Sequence, residues 1–88
     1  MSYNGWANYE TWRINLEVFS ESNLGASDFG YNSKDDAYAL SHALEQYAED
    51  VILEQSKGLA VEYARAFLSE VNWYEIAENM VSDLEEAA

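Results

Sequence analysis

The chain has 88 residues and carries a formal net charge of −13, because seventeen Asp and Glu face only four Lys and Arg. This length fits one domain near the lower limit for independent folding. The sequence contains no Cys, which excludes disulfides and thiolate metal sites, and it has no apolar run long enough to span a membrane. We expect a single domain over residues 1–88, without a secretory signal, in the cytoplasm.

The excess of negative charge is the unusual feature of the composition. A small domain needs a net charge of only about 2–8 for solubility. The larger excess in this chain destabilises the compact state and repels nucleic acid and anionic membranes. We therefore expect no membrane binding, no direct binding to nucleic acid, and a basic surface on a partner attracted by charge. The alternative explanation is that the acidity serves only solubility or reflects a salt-adapted host.

The first predicted helix covers residues 9–21. Asn8 is a good N-cap residue, and Glu10 lies in the first turn, where the helix dipole favours an anion. Large side chains recur at helical spacing at Tyr9, Trp12, Leu16 and Phe19. An alternating strand pattern is also present at Trp12, Ile14, Leu16 and Val18. We favour the helix because of its cap and because no partner strand follows, but the strand stays open for residues 12–19.

A polar loop follows over residues 22–33. This segment is rich in Ser, Asn, Asp and Gly, which are the residues that favour turns. Three larger side chains interrupt it, and we expect them to attach the loop to the core: Leu24, Phe29 and Tyr31.

The second predicted helix is the longest and covers residues 34–55. Ser33, with Asp36 three residues later, resembles a capping arrangement at its start. The expected core face consists of Ala37, Leu40, Leu44, Tyr47, Ala48 and Val51. Gly58 is placed to close this helix as a C-terminal cap.

Two further helices complete the prediction. The third covers residues 59–71, and its expected buried residues are Ala60, Ala64, Phe67, Leu68 and Val71. Asn72, with Glu75 three residues later, matches the spacing of a capping box and opens a fourth helix over residues 73–85. Its apolar stripe is Trp73, Ile76, Ala77, Met80, Val81 and Leu84. The sequence therefore predicts an all-α fold, a compact bundle of about four helices with a Gly/Ser/Asn-rich loop after the first.

The sequence offers little for catalysis. His42 is the one histidine, and its neighbour Ser41 does not make a triad, since adjacent helical residues point apart. Residues 28–36 superficially resemble a calcium loop but lack the required acid spacing and the closing Glu. We expect no catalytic residues, no metal site, no cofactor and no enzymatic activity.

The arrangement of the acids is more informative than their number. Carboxylates recur three or four residues apart on two predicted helices: Glu45 with Glu49, Asp50 with Glu54, and Glu75 with Glu78, followed by Asp83. Like charges at these spacings lie about 5–6 Å apart and destabilise a helix by a few tenths of a kcal/mol. The four cations are too few to neutralise them. We predict that these seven acids contact a partner; the alternative is that they form ordinary solvated helix faces.

Two segments resemble a known group of proteins. The stretch Asn4–Trp12 (NGWANYETW) resembles the N-terminal signature of small, largely uncharacterised proteins of phages and other mobile elements, and 71–78 (VNWYEIAE) resembles a second block of that family. By analogy, phage proteins of this size and acidity include anti-CRISPR and antirestriction proteins that mimic DNA. We expect the resembling segments to fix the fold, with the three tryptophans packed together or against the long helix.

The leading functional hypothesis is an acidic inhibitor from a phage or mobile element. It would mimic DNA and bind the basic DNA-binding surface of a host CRISPR effector or restriction complex, as a monomer or homodimer. The alternative is a non-enzymatic interaction or regulatory module, which could be homodimeric and whose acidity serves solubility. A hydrolase that uses carboxylates and a metal ion is the third and least favoured class.

Overall fold

Four α-helices form most of residues 4–87, the part of the chain that the computed structural model describes, with side chains described for 4–33 and 35–84. The ends of the predicted domain, residues 1–3 and 88, lie outside this part. The helices run over Tyr9–Ile14 (α1), Ala37–Glu54 (α2), Leu59–Ser69 (α3) and Trp73–Ala87 (α4). The predicted all-α bundle, with the second helix the longest, is confirmed.

Helix α1 begins at the predicted residue. The Asn8 side chain caps it by accepting a hydrogen bond from the backbone N–H of Thr11 at 2.9 Å. After Ile14 the helix widens into a π-helix over Asn15–Ser20. The predicted helix over residues 9–21 is thus confirmed in extent, and the alternative of a strand is wrong.

The π-helix turns Phe19 into the core. Its wide hydrogen-bond spacing continues where the N–H of Glu21 donates to the Leu16 carbonyl at 3.0 Å and that of Leu24 to the Phe19 carbonyl at 2.9 Å. In an α-helix, two residues five apart point about 140° apart. Because the wider turn brings such residues closer to one side, Ile14 and Phe19 are both buried. Leu16, which recurs at helical spacing in the sequence, is exposed instead.

The polar loop is attached to the core as expected. It contains a short 3-10 helix over Ala26–Phe29, whose start is fixed by the Asp28 carboxylate accepting a hydrogen bond from the Gly25 N–H at 2.7 Å. The side chains that pack against the buried core are those predicted: Leu24, Phe29 and Tyr31.

Helix α2 packs mainly against α4 and supplies the centre of the core. It starts three residues later than predicted, because Ser33 caps a 3-10 turn over Lys34–Asp36 that precedes it. Its buried apolar residues are Ala37, Leu40, Leu44 and Ala48. Tyr47, expected on the core face, contacts the Phe29 ring with centroids 5.4 Å apart but keeps an exposed edge.

The link between α2 and α3 differs from the prediction. Helix α2 ends at Glu54, and the Ser56 hydroxyl donates to the Ile52 carbonyl at 2.8 Å, which satisfies one of the free carbonyl groups at this end. Gly58 does not cap α2. It precedes α3 as its N-cap, with a φ of +59° that favours glycine.

Helices α3 and α4 differ in how deeply they are buried. Helix α3 contacts mainly α2, so its outer side remains open, and Ala60, which was expected to be buried, is exposed. It ends at Ser69, two residues earlier than predicted, although Val71 is buried beyond it. The apolar stripe of α4 is confirmed: Ile76, Ala77, Met80 and Val81 are buried, and Trp73 and Leu84 pack beside them.

The hydroxyl of Thr11 joins the start of α1 to the turn before α4. Its side chain is 0% exposed. The hydroxyl donates to Asn8 Oδ1 at 2.6 Å and accepts a hydrogen bond from the backbone N–H of Asn72 at 2.8 Å. The Asn8 amide nitrogen also donates to the Glu70 carbonyl at 2.7 Å. We call Asn8, Thr11, Glu70 and Asn72 the Thr11 junction.

A neighbouring pair of hydrogen bonds fixes the start of α4. Asn72 Oδ1 accepts from the Glu75 N–H at 3.1 Å, which confirms the predicted cap. The Glu75 carboxylate does not return this bond, because the N–H of Asn72 already donates to Thr11. It accepts instead from the Ala7 N–H at 2.9 Å, and this bond ties the N-terminal segment to α4.

Residues 4–12 and 71–78 therefore meet in the structure. Trp6 and Trp73 are half-buried against the core, and the Trp12 ring lies 5.8 Å from that of Tyr9. These contacts agree with the expectation that residues 4–12 and 71–78 serve the fold.

We expect Thr11→Val to lower the free energy of unfolding by about 1–3 kcal/mol, since it removes the acceptor of the Asn72 N–H from a partly buried hydrogen bond. Thr11→Ser keeps the hydroxyl and loses one methyl group, so its loss should be close to 1 kcal/mol. Urea titration followed by circular dichroism measures both. Equal losses for the two variants would contradict a structural role for the hydroxyl.

Candidate functional site

Four of the seven predicted acids lie on the outer side of α2. Glu45 and Glu49 are half-buried, and Asp50 and Glu54 are exposed. We call these four residues the acidic face. At about 100° per residue the two i, i+4 pairs point about 140° apart, so they border the outer side of the helix on two edges.

Helix α3 places Arg65 between these two edges. A hollow of about 620 Å³ is lined by Arg65, by Leu53 and by three acids from the two edges: Glu49, Asp50 and Glu54. A smaller hollow of about 160 Å³ continues it along Glu45 towards α3. Arg65 forms no ion pair with any residue that the structure describes. The ion pair found among the described residues joins Arg13 and Glu17. The carboxylates of the acidic face thus lie close together, and none of them forms an ion pair with a described cation.

The acidic face occupies an unfavourable position on its helix. Asp50 and Glu54 lie in the last turns of α2, where the helix dipole favours cations, and no basic residue is present in the last turn. Repulsion between the two like charges adds to this cost. A helix selected for stability alone would carry Lys or Arg at these positions.

The three predicted acids of α4 are not brought to the acidic face. Glu75 is half-buried and bonds to the N–H of Ala7, so it serves the fold. Asp83 lines a separate cleft beside Trp6. Glu78 is exposed. A role of these acids in binding stays a prediction, and α4 presents them singly.

The described residues contain no group of three or more His, Cys, Asp or Glu that is placed to hold a metal ion. His42 is exposed on α2, where its ring meets the ring of Tyr38 edge-on with centroids 4.8 Å apart. In the described part of the chain, no helix is both long and apolar enough to cross a membrane.

The sequence did not single out Arg65 or Leu53 as part of this surface. Both lie on helices whose amphipathic pattern is visible, but the pattern does not say which turn of α3 packs on which turn of α2. The one available signal is that Arg65 is among only four cations in the chain.

A comparison with known protein families identifies the family of the chain. One family model matches residues 1–87. The chain belongs to the family of unknown function DUF7249. The match includes both segments of the Thr11 junction. No curated protein and no solved structure matches the chain. Membership of DUF7249 leaves the relation to phage proteins a prediction.

Neutralising one edge of the acidic face should stabilise the protein. For the double variant Asp50→Asn/Glu54→Gln we expect the free energy of unfolding to rise by about 0.5–1 kcal/mol at low salt, because repulsion and the unfavourable dipole interaction are both removed. The gain should shrink at about 1 M salt, where charges are screened within about 3 Å. Urea titration at both salt concentrations measures it.

The matched control is Glu17→Gln, which removes an exposed carboxylate that is paired with Arg13. This variant should lose a few tenths of a kcal/mol. A loss of stability in the double variant as well would show that the acidic face belongs to a stabilising charge network, and would contradict an unfavourable placement of its carboxylates.

Proposed function

We propose that this protein is an acidic inhibitor from a phage or mobile element that binds the basic DNA-binding surface of a host defence complex. The acidic face of α2 would contact that surface in place of DNA, in the host cytoplasm, without a reaction, a cofactor or direct binding to nucleic acid. The observation that carries the proposal is the gathering of the four carboxylates of the acidic face around Arg65, which forms no ion pair within the described part of the chain.

The charge density of the acidic face supports this proposal. From Glu45 to Glu54 the helix axis advances by about 13.5 Å, so one carboxylate falls about every 4.5 Å. A duplex carries one phosphate about every 1.7 Å of its axis and a single strand one about every 3.4 Å. The acidic face therefore comes closer to one DNA strand than to a duplex, and a groove built for phosphates would attract it.

The overall charge of the protein would assist the encounter. A net charge of −13 on a small molecule speeds association with a basic partner, and such steering falls steeply as salt rises. Because the carboxylates stand on a helix, little further ordering is needed when they bind. Fast association that weakens with salt is thus expected of the complex.

A second candidate function is an interaction module that uses apolar surface, which could be a homodimer. The outer side of α3 favours it, because Leu59 and Tyr63 are each 73% exposed. Tyrosine is enriched in protein interfaces. Light scattering distinguishes this candidate, since a dimer shows a mass that rises with protein concentration and that Tyr63→Ser/Leu59→Ser abolishes.

The proposal is tested by competition for DNA binding. We expect the wild-type protein to displace duplex DNA from a CRISPR effector or a restriction endonuclease at low salt. Reversing two charges in Asp50→Lys/Glu54→Lys should weaken this inhibition by at least about 100-fold, since two attractive contacts to a basic groove become repulsive. Electrophoretic mobility of labelled DNA measures the displacement.

The matched control is Glu21→Lys/Asp35→Lys. It reverses one Glu and one Asp that are both exposed and lie outside the acidic face, so the net charge is the same in both variants. The control should lose much less inhibition than the α2 variant. Equal losses would mean that net charge alone acts, and inhibition that survives both reversals would rule out mimicry of DNA by the acidic face.

A further inference from the structure

A second cleft, about 410 Å³ in volume, lies between the π-helix, the turn that follows it and α4. Trp6 lines this cleft together with polar residues from both halves of the chain. These polar residues are Asn15, Ser20, Asn23, Asn79 and Asp83. Phe19, Leu24 and Met80 form its apolar lining. The volume of this cleft falls in the range of about 300–1,000 Å³ that is typical of small-ligand sites, and its lining is mainly polar. We call this site the asparagine cleft.

Irregular backbone is concentrated around the asparagine cleft. The π-helix over Asn15–Ser20 forms one side, and π-helical turns are rare and often occur at functional sites. Asn23 has a φ of +59°, in the left-handed region that asparagine adopts more readily than most residues other than glycine. Asn15, Ser20 and Asn23 line the same opening.

The free polar groups of the asparagine cleft include both donors and acceptors, and the one ionised group among its described lining residues is the Asp83 carboxylate. The Asn79 amide nitrogen donates to the Glu75 carbonyl at 3.0 Å, which leaves its Oδ1 free to accept and its second N–H free to donate. Asp83, as a carboxylate, can only accept. The amides of Asn15 and Asn23 make no hydrogen bond to any side chain or backbone group that the structure describes. Among the described residues, no Lys, Arg or His lines the cleft.

The Asp83 carboxylate, together with the absence of Lys, Arg and His from the described lining, favours a cation with an apolar stem. An ammonium or guanidinium group has only donors, which match the Asp83 carboxylate and the amide oxygens, and a bond to an ionised carboxylate is the stronger kind. The indole of Trp6 can hold a cation over its face or pack against an alkyl chain. The net charge of −13 further attracts cations and excludes anions.

We propose that the asparagine cleft binds a small organic cation, an alkylammonium or alkylguanidinium group. This cation can be a free amine or the side chain of Arg or Lys on a partner. The asparagine cleft and the acidic face have no described lining residue in common, so this binding does not depend on the function proposed above.

The test is titration of the ¹⁵N-labelled protein with two probes, agmatine and N-acetyl-arginine amide, followed by NMR. We expect the Trp6 indole signal and the side-chain amide signals of Asn15 and Asn79 to shift and saturate. Asp83→Asn keeps the shape of the side chain and removes its charge, and should weaken binding by about ten-fold or more.

The matched control is Glu78→Gln, which neutralises an exposed acid of the same helix that does not line the cleft. It should change the affinity for the cations little. Binding of both probes would show that the guanidinium of an Arg side chain is sufficient for binding, which supports a partner's side chain as the ligand. Binding of agmatine alone would support a free amine as the ligand.

Three results would overturn the proposal: no saturable shift at Trp6 with either probe, an equal loss of affinity in Glu78→Gln, or tighter binding of the neutral polyol sorbitol than of either cation.

Discussion

The hydroxyl of Thr11 holds the N-terminal segment against the turn before α4, and the arrangement of the helices depends on it. It is fully buried, and it is paired twice: it donates its proton to Asn8 Oδ1 and accepts a hydrogen bond from the N–H of Asn72. A lost partner for such a group costs about 1–3 kcal/mol, a large share of the 5–15 kcal/mol that stabilises a typical domain. Beyond Ile14 the chain widens into a π-helix, and Phe19 is buried in it.

The division of labour between the two kinds of polar residue follows from this arrangement. The aromatic and amide residues near the Thr11 junction are engaged in packing and capping, whereas the carboxylates of α2 make no hydrogen bond or ion pair within the described part of the chain. Their position near the C-terminal end of α2 opposes the helix dipole, and none of α2, α3 and α4 has a basic residue in its last turn. This placement supports the proposed binding to a basic partner.

Some of this structure could be predicted from the sequence. The predictable features have a local signal in the chain, and the others depend on packing between distant segments. Helices α2 and α4 were visible because one face of each repeats apolar residues at helical spacing, and the Asn8 cap is a local signal. The π-helix was not visible, because it arises from the packing of Phe19 and not from local preference. The position of Arg65 and the placement of Asn15 and Asn79 around one cleft depend on how distant helices pack, so neither the grouping of the acids nor the asparagine cleft has a local signal.

The hydrogen bond from the Asn72 N–H to the Thr11 hydroxyl is the contact on which the fold most depends, and native-state hydrogen exchange measures it in the unmodified protein. We expect the backbone amide of Asn72 to exchange about as slowly as the core amide of Met80, since both open only when the fold opens. Fast exchange of the Asn72 amide, at the rate of an unstructured peptide while the Met80 amide stays protected, would show that the Thr11 junction opens independently and does not hold the fold together.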